Sequence, residues 1–495
     1  MSFARLSGAT LDRLPPGVVR PRYDRSVLRT GVVHLGIGAF HRAHQATYFD
    51  DLIGLGDPRW GVLGASLRSR RVRDALAPQD GLYTLVERSG PDEQLRIVGA
   101  VRSALVAPEN PARLVQAMAD PDVHLVTLSV TEKGYKLDPA GGALLLGDHD
   151  IAADLSERQA PRTAIGFLVA SLAARRARGL MPFTVLSCDN LPNNGARVRA
   201  AVLAFAATVD PSLRDWIDGC GAFPSTMVDR IVPATTDADR NRLAATLGVE
   251  DRGMVKTEPF TQWVVEDWFA GERPPLEQVG VQMTGDVRPW EEAKLRLLNG
   301  AHSAIAYLGA LSGAEFVHEA VAFADLKRYV ERLWDEAQTT IAPSPSLDLA
   351  VYRTELMARF TNSALAHSTR QIAMDGSQKI PQRLLAPIAD RLRQGASIDA
   401  LALAVAAWML WQRGVDEGGS PYVVDDPLAP ATRAAWKAGG IGNVVDRMLM
   451  LTQVFPPDLS TNAVFRTTIA RQLDRLMAHG AKAALSDIAR QRALA

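Results

Sequence analysis

The chain has 495 residues, of which 47% are hydrophobic and 22% charged, with 55 basic side chains balancing 55 acidic ones. That length exceeds one ordinary core, so two or three globular domains are predicted. A formal net charge of zero leaves no electrostatic footprint for nucleic acid or for an acidic membrane surface. Cys188 and Cys220 are the two cysteines and form neither a disulfide framework nor a Cys/His cluster, so a reducing, cytoplasmic setting is expected. No secretory signal is read at the N-terminus. The longest apolar run, from Ala400 to Trp411, is too short to span a bilayer and predicts a buried helix. The oligomeric state is left open, a monomer being compatible with the sequence.

In chain order, Gly31 to Gly36 reads as a buried parallel strand and His41 to Leu55 as a helix. Trp60 to Leu67 predicts a second strand. Further strand-like runs are Leu82 to Val86, Leu95 to Val98, Val123 to Val130 and Phe183 to Ser187, separated in places by helical patterns such as Ala112 to Ala119 and Ala164 to Arg178. This alternation predicts an α/β, doubly wound sheet of Rossmann-like type. From about Pro289 strands become scarce. Helices are predicted over Trp290 to Leu311, Phe316 to Gln338, Leu349 to Phe360, Pro381 to Gln394, Ile398 to Arg413, Pro430 to Ala438 and Asn462 to His479. The expected division is a dinucleotide-binding domain over 1–286 and a mostly α-helical, substrate-binding and catalytic domain over 287–495.

Strand, then Gly36-Ile37-Gly38-Ala39-Phe40-His41, then helix is the order of a dinucleotide-binding turn. The first glycine permits the tight turn, and the second lets the backbone approach a pyrophosphate at a helix N-terminus. Histidine stands where a third glycine is usual. No carboxylate follows the second strand to receive the adenosine ribose; Arg68 and Ser69 stand there instead. They suit a 2′-phosphate and NADP(H), or else a solvated helix start.

The segment Lys294 to His302 carries the densest chemistry. On an α-helix Asn299 lies about 140° and His302 about 80° from Lys294, so a potential base, an amide and an imidazole share one side. Those groups can take a proton from an alcohol and hold charge on its oxygen. A core helix with a snorkelling lysine is the alternative reading. Glu291, one turn before Lys294, is placed for an ion pair or a proton relay.

Together these stretches resemble the mannitol dehydrogenase / fructuronate reductase family of polyol-specific long-chain dehydrogenases. The resemblance rests on Gly36 to Gln45, Thr131-Glu132-Lys133-Gly134-Tyr135, Ser187-Cys188-Asp189-Asn190, Met227-Val228-Asp229-Arg230-Ile231, Lys294 to His302 and Asp375 to Lys379. It implies NAD(H) or NADP(H), no metal, and a sugar alcohol, ketose or aldonate bound between the two domains. It implies Lys294 as the general base, Asn299 and Asn190 as polarisers of the reacting oxygen, and His302 as a substrate-orienting group. Asp229 and Lys379 would bind other hydroxyls, and Glu291 or Glu132 would pass the proton to solvent. Gly36, Gly38, Ala39, Phe40, His41 and Arg42 would form the cofactor loop, with Arg68 and Ser69 at the ribose. Asp189 is expected to be structural, and His41 and His44 to position the loop. Gln371, next to Arg370, occupies a position where the mannitol branch carries arginine, and Arg370, Lys379 and Arg383 are the candidates to receive the carboxylate of an aldonate substrate.

Overall fold

The computed structural model describes residues 3–138, 141–437 and 439–490. The chain forms two compact units, Met1–Val287 and Arg288–Ala495.

Five parallel strands make the central sheet of the first unit: β1 (Thr30–Leu35), β2 (Gly61–Ser66), β3 (Val101–Val106), β4 (Leu125–Leu128) and β5 (Thr184–Ser187), in the order β3-β2-β1-β4-β5. This is a doubly wound arrangement whose direction reverses between β1 and β4. Alternate residues of β1 face opposite layers. Val33 and Leu35 pack with Val126, Leu128 and Val185 under the helices Pro111–Met118, Ala164–Ala177 and Asn194–Val209. Val32 packs on the other face with Val62, Leu125 and Leu186 against Gln45–Gly54. Burial on both faces explains the near-continuous apolar runs of these strands.

Two strand-like runs leave the central sheet. Tyr83–Ser89 and Asp92–Val98 pair antiparallel over seven positions, with Val255–Thr257 added in parallel. Gly90 and Pro91 alone join them, and so short a connection forces antiparallel pairing. A third small sheet joins Thr226–Asp229, Gln262–Glu266 and Gln282–Thr284. Strand β3 was not legible as a run because Arg102 and Ser103 face outward at the sheet edge.

The second unit is helical. Its helix Asp399–Trp411 is buried from Ala400 to Trp411 and packs against Ala463–Arg490 and Gly300–Leu311. A helix apolar all round has to be central. Several predicted helices are broken. His41 to Leu55 divides at His44 (φ −124°, ψ −90°), and Phe316 to Gln338 at Phe323. The last helix continues to Arg490 through a kink at Gly480 (φ 77°). The helix predicted over Pro430 to Ala438 is described as Ala429–Lys437, and Ala438 lies outside the described residues. Trp290 to Leu311 is α-helical over Arg288–Ala293 and Gly300–Leu311, but Lys294–Asn299 between them is a π-helix. Pro381–Leu385 forms a second π turn. Among the described residues no helix is long and apolar enough to cross a membrane.

Candidate functional site

In the first unit, a cavity of 340 Å³ opens where the sheet order reverses, at the ends of β1, β2 and β4. Gly36, Gly38, Arg68, Ser69, Thr131 and Lys136 are among its walls. Gly36 has φ 98°, and a Cβ there would lie 2.2 Å from the Ser129 carbonyl oxygen, so no other residue fits the turn. Gly38 caps the short helix Ala39–Ala43. Arg68 and Ser69 are exposed at the end of β2, and the Ser69 hydroxyl accepts the Arg71 N–H at 3.2 Å.

Phe40, His41 and Arg42 do not line this cavity; they support the loop from beneath. The His41 ring stacks on His34 with centroids 3.5 Å apart. His34 is hydrogen-bonded to the Thr127 hydroxyl at 2.7 Å and the Ser129 hydroxyl at 2.8 Å, and Ser129 donates to the Gly36 carbonyl at 2.9 Å. Burial pushes the His34 imidazole down to about 3 and holds His41 well below its usual range, so both are neutral. Phe40 stacks on His44, which is bonded to the Gln262 carbonyl at 2.8 Å. Arg42 is buried and donates to the carbonyls of Gly38 and Gly253, while the Tyr83 hydroxyl donates to the Arg42 carbonyl at 2.6 Å. Ala39 and Arg42 also border a neighbouring open cleft of 1170 Å³ that carries Arg71, Arg240 and Arg252.

Asp189 accepts the N–H groups of Val130 and Thr131 and the Tyr135 hydroxyl, at 2.9, 3.0 and 2.7 Å. It thus holds Thr131, a cavity residue, in a positive-φ conformation (φ 67°). Burial raises the Asp189 carboxyl above its usual range. Asn190 follows it and is exposed, as is Glu132. Asp229 is buried at the end of its strand, and its neighbour Arg230 pairs with Glu87 and the Glu258 carbonyl.

In the second unit, Lys294 and Asn299 are the first and last residues of the π turn, and both are half-buried. Hydrogen bonding from residue i+5 to i, seen from the Gly300 N–H to the Leu295 carbonyl, brings residues five apart closer to one line than the 140° of an α-helix. His302 is buried in the next turn, against Phe360 (4.8 Å) and His367 (5.3 Å). Burial, then the charges of His367, Arg359 and Arg383, hold its imidazole well below the usual range. Glu291 is half-buried one turn before Lys294. The π turn is tied down by Arg296, which donates to Asp390 at 2.7 Å, and by Glu292, which accepts the Ala342 N–H at 2.8 Å.

Lys379 donates to the carbonyls of Ile372 and Met374 at 3.3 and 2.5 Å, and burial lowers its pKa. Arg383, on the second π turn, donates to the Ser303 hydroxyl at 3.2 Å beside His302. Arg370 is exposed and lies over Trp411 and Tyr422, whose rings stack at 4.1 Å. The sequence reading missed His34, although a histidine inside an apolar strand was its signal. Arg359, His367 and Phe360 reach His302 from distant positions and carry no local pattern. Among the described residues no group of three or more His, Cys, Asp or Glu side chains is arranged to hold a metal ion.

The first unit is thus a dinucleotide-binding α/β fold, and the second a helical unit bearing a lysine, an amide and an imidazole on one short stretch. Residues 30–278 match the mannitol dehydrogenase Rossmann domain and residues 286–477 the mannitol dehydrogenase C-terminal domain. The chain belongs to the mannitol dehydrogenase family of oxidoreductases. It is 42% identical to the D-mannonate oxidoreductase of Escherichia coli, over 94% of this chain and 97% of that protein. It is 38% identical to the mannitol 2-dehydrogenase of Phaeosphaeria nodorum, over 98% of this chain and 86% of that one. It resembles the solved structure of Pseudomonas fluorescens mannitol 2-dehydrogenase in ternary complex with NAD and D-mannitol, with a TM-score of 0.83, 38% identity, and 98% and 100% of the two chains covered.

Proposed function

We propose that the protein interconverts a secondary alcohol of a linear six-carbon polyol and the matching ketose, with D-mannitol and D-fructose as the lead pair and NAD(H) as the cofactor. The observation that carries this reading is the π turn that sets Lys294 and Asn299 near one line, with neutral His302 in the following turn. NADP(H) is the alternative cofactor, because Arg68 and Ser69 border the cavity where a ribose-binding acid would stand.

The first-unit cavity fits the cofactor: a glycine turn that excludes Cβ, a helix N-terminus and two exposed polar residues at the end of β2. When bound, the nicotinamide supplies the hydride acceptor in oxidation and the donor in reduction. Lys294 takes the hydroxyl proton as the alcohol is oxidised and returns it as the ketone is reduced. It must be uncharged to take the proton and charged to return it, and a free lysine is charged at neutral pH. Asn299 polarises the reacting oxygen, the role that the family resemblance also gives Asn190. His302 orients a neighbouring hydroxyl, Asp229 and Lys379 bind others, and Glu291 or Glu132 carries the proton to solvent.

A second reading is the same chemistry on an aldonate, D-mannonate to D-fructuronate. It is favoured by Arg383, a partly buried cation beside Ser303 and His302 that suits a carboxylate. Reduced-nicotinamide absorbance would be followed with NADH and NADPH on fructose and fructuronate, and in reverse on mannitol and mannonate. Preferred turnover of fructose and mannitol is expected. Preferred turnover of fructuronate and mannonate, lost selectively in Arg383→Met or Arg370→Ala, moves the assignment to the second reading. Turnover of none of these overturns both.

A further inference from the structure

Besides the Arg296–Asp390 pair, one side chain from outside grips the backbone of the π turn that carries Lys294 and Asn299. Trp334, on the helix Ala324–Gln338, is 2% exposed, and its indole N–H donates to the Leu297 carbonyl at 2.9 Å. Leu297 lies inside the turn, three residues from Lys294 and two from Asn299. A donor that inserts into a helix ladder competes with the helix's own N–H groups and favours a widened turn. The same indole stacks on Phe360 (6.0 Å, 27°), and Phe360 packs on His302 at 4.8 Å. Trp334 is also held by the Arg353 guanidinium, 5.5 Å from the ring centroid and itself paired with Asp335 at 2.9 Å and Gln338 at 3.0 Å. The π turn and His302 are therefore both linked to one indole that lies outside their own helix, the turn directly and His302 through Phe360.

We propose that Trp334 is a positioning residue for alcohol oxidation: its N–H holds the π turn open, and through Phe360 its ring fixes the place of His302. This rests on the function proposed above. Small misplacements of reacting groups are costly, about 100-fold in rate for an ångström.

The test is Trp334→Phe, which keeps an aromatic ring and deletes the donor. The expected result is a fall in kcat of about tenfold or more, with the KM for the nucleotide within about twofold of wild type and the melting temperature lower by no more than a few degrees, the cost of the smaller ring. Amide exchange across residues 294–302 should also quicken by about tenfold, a readout that needs no turnover and so stands even if no substrate is found. Unchanged kcat and unchanged exchange overturn the proposal. A parallel loss of kcat, nucleotide binding and melting temperature also overturns it, since that pattern reports folding alone. If Trp334→Phe does not accumulate, benzothienylalanine at 334 replaces the N–H by sulfur at nearly constant shape, and the same outcomes apply. Wild type without turnover, together with faster exchange in the variant, would sink the assigned reaction while leaving the structural grip on the turn intact.

Discussion

Gly300 faces the backbone of Arg383 so closely that a Cβ on it would lie 3.1 Å from the Arg383 carbonyl oxygen. The two π turns, Lys294–Asn299 and Pro381–Leu385, meet at this point. Alanine at 300 gains about 1 kcal/mol of helix propensity over glycine. The crowded carbonyl, which must move by a few tenths of an ångström, offsets that gain. Gly300→Ala is therefore expected to change unfolding free energy by less than about 1 kcal/mol, whereas Gly300→Leu should lose about 1–3 kcal/mol through overpacking. Urea unfolding of the two variants checks this; a stable leucine variant would mean that the contact carries no constraint.

Lys294→Ala should lower kcat by about 10² to 10⁴-fold, the range of a removed general base. Nucleotide affinity should stay near wild type, because the cavity at Gly36 and Gly38 belongs to the other unit. Isothermal titration with the nucleotide, run beside the steady-state assay, separates the two effects. Near wild-type turnover would remove lysine from the mechanism.

Three buried imidazoles make stability depend on pH. His34, His41 and His302 have folded pKa values pushed below the unfolded value of about 6.5 by burial. The unfolded chain then binds more protons, so this stability is full above about pH 6.5 and is lost as pH falls below it, for His34 down to about 3. Each neutral histidine contributes up to about 1.4 kcal/mol per pH unit within that window. Burial raises Glu336 to about 7 and works the other way over that range, so unfolding free energies at pH 7.5 and 5.5 should differ by about 1–3 kcal/mol, and His34→Gln should narrow the gap. An equal gap in that variant would assign the pH dependence to other groups.

Ser69→Asp restores an acid at the end of β2. It should raise kcat/KM for NAD(H) relative to NADP(H) by about tenfold, since a carboxylate accepts from the ribose hydroxyls and repels a 2′-phosphate. Measuring both nucleotides at saturating sugar decides the matter, and an unmoved ratio would place the ribose away from Ser69.

The sequence made local features legible and left converging ones hidden. Strand β1 and the Gly36 turn are continuous in the chain, and their residue types announce them. The antiparallel hairpin at Gly90 was also within reach, but its apolar runs look like those of parallel strands. The π turns were not, because reading at 100° per residue assumes the α-helix that the segment abandons. Arg42 and His41 belong to a recognisable motif, yet the motif does not say that they face the core. Trp334, Phe360 and His367 reach the Lys294 helix only after the second unit folds, and no spacing connects them beforehand.

The loop at Gly36–Gly38 stands on a fully packed base of His34, His41, Arg42 and Tyr83. The N–H groups of Gly36, Ile37 and Gly38 are themselves tied to the Ala65 and Gly36 carbonyls, so a molecule entering the cavity meets a loop of settled shape, and little conformational entropy is surrendered on contact. Association at that cavity should run at a single rate proportional to concentration, with no slower ordering phase behind it.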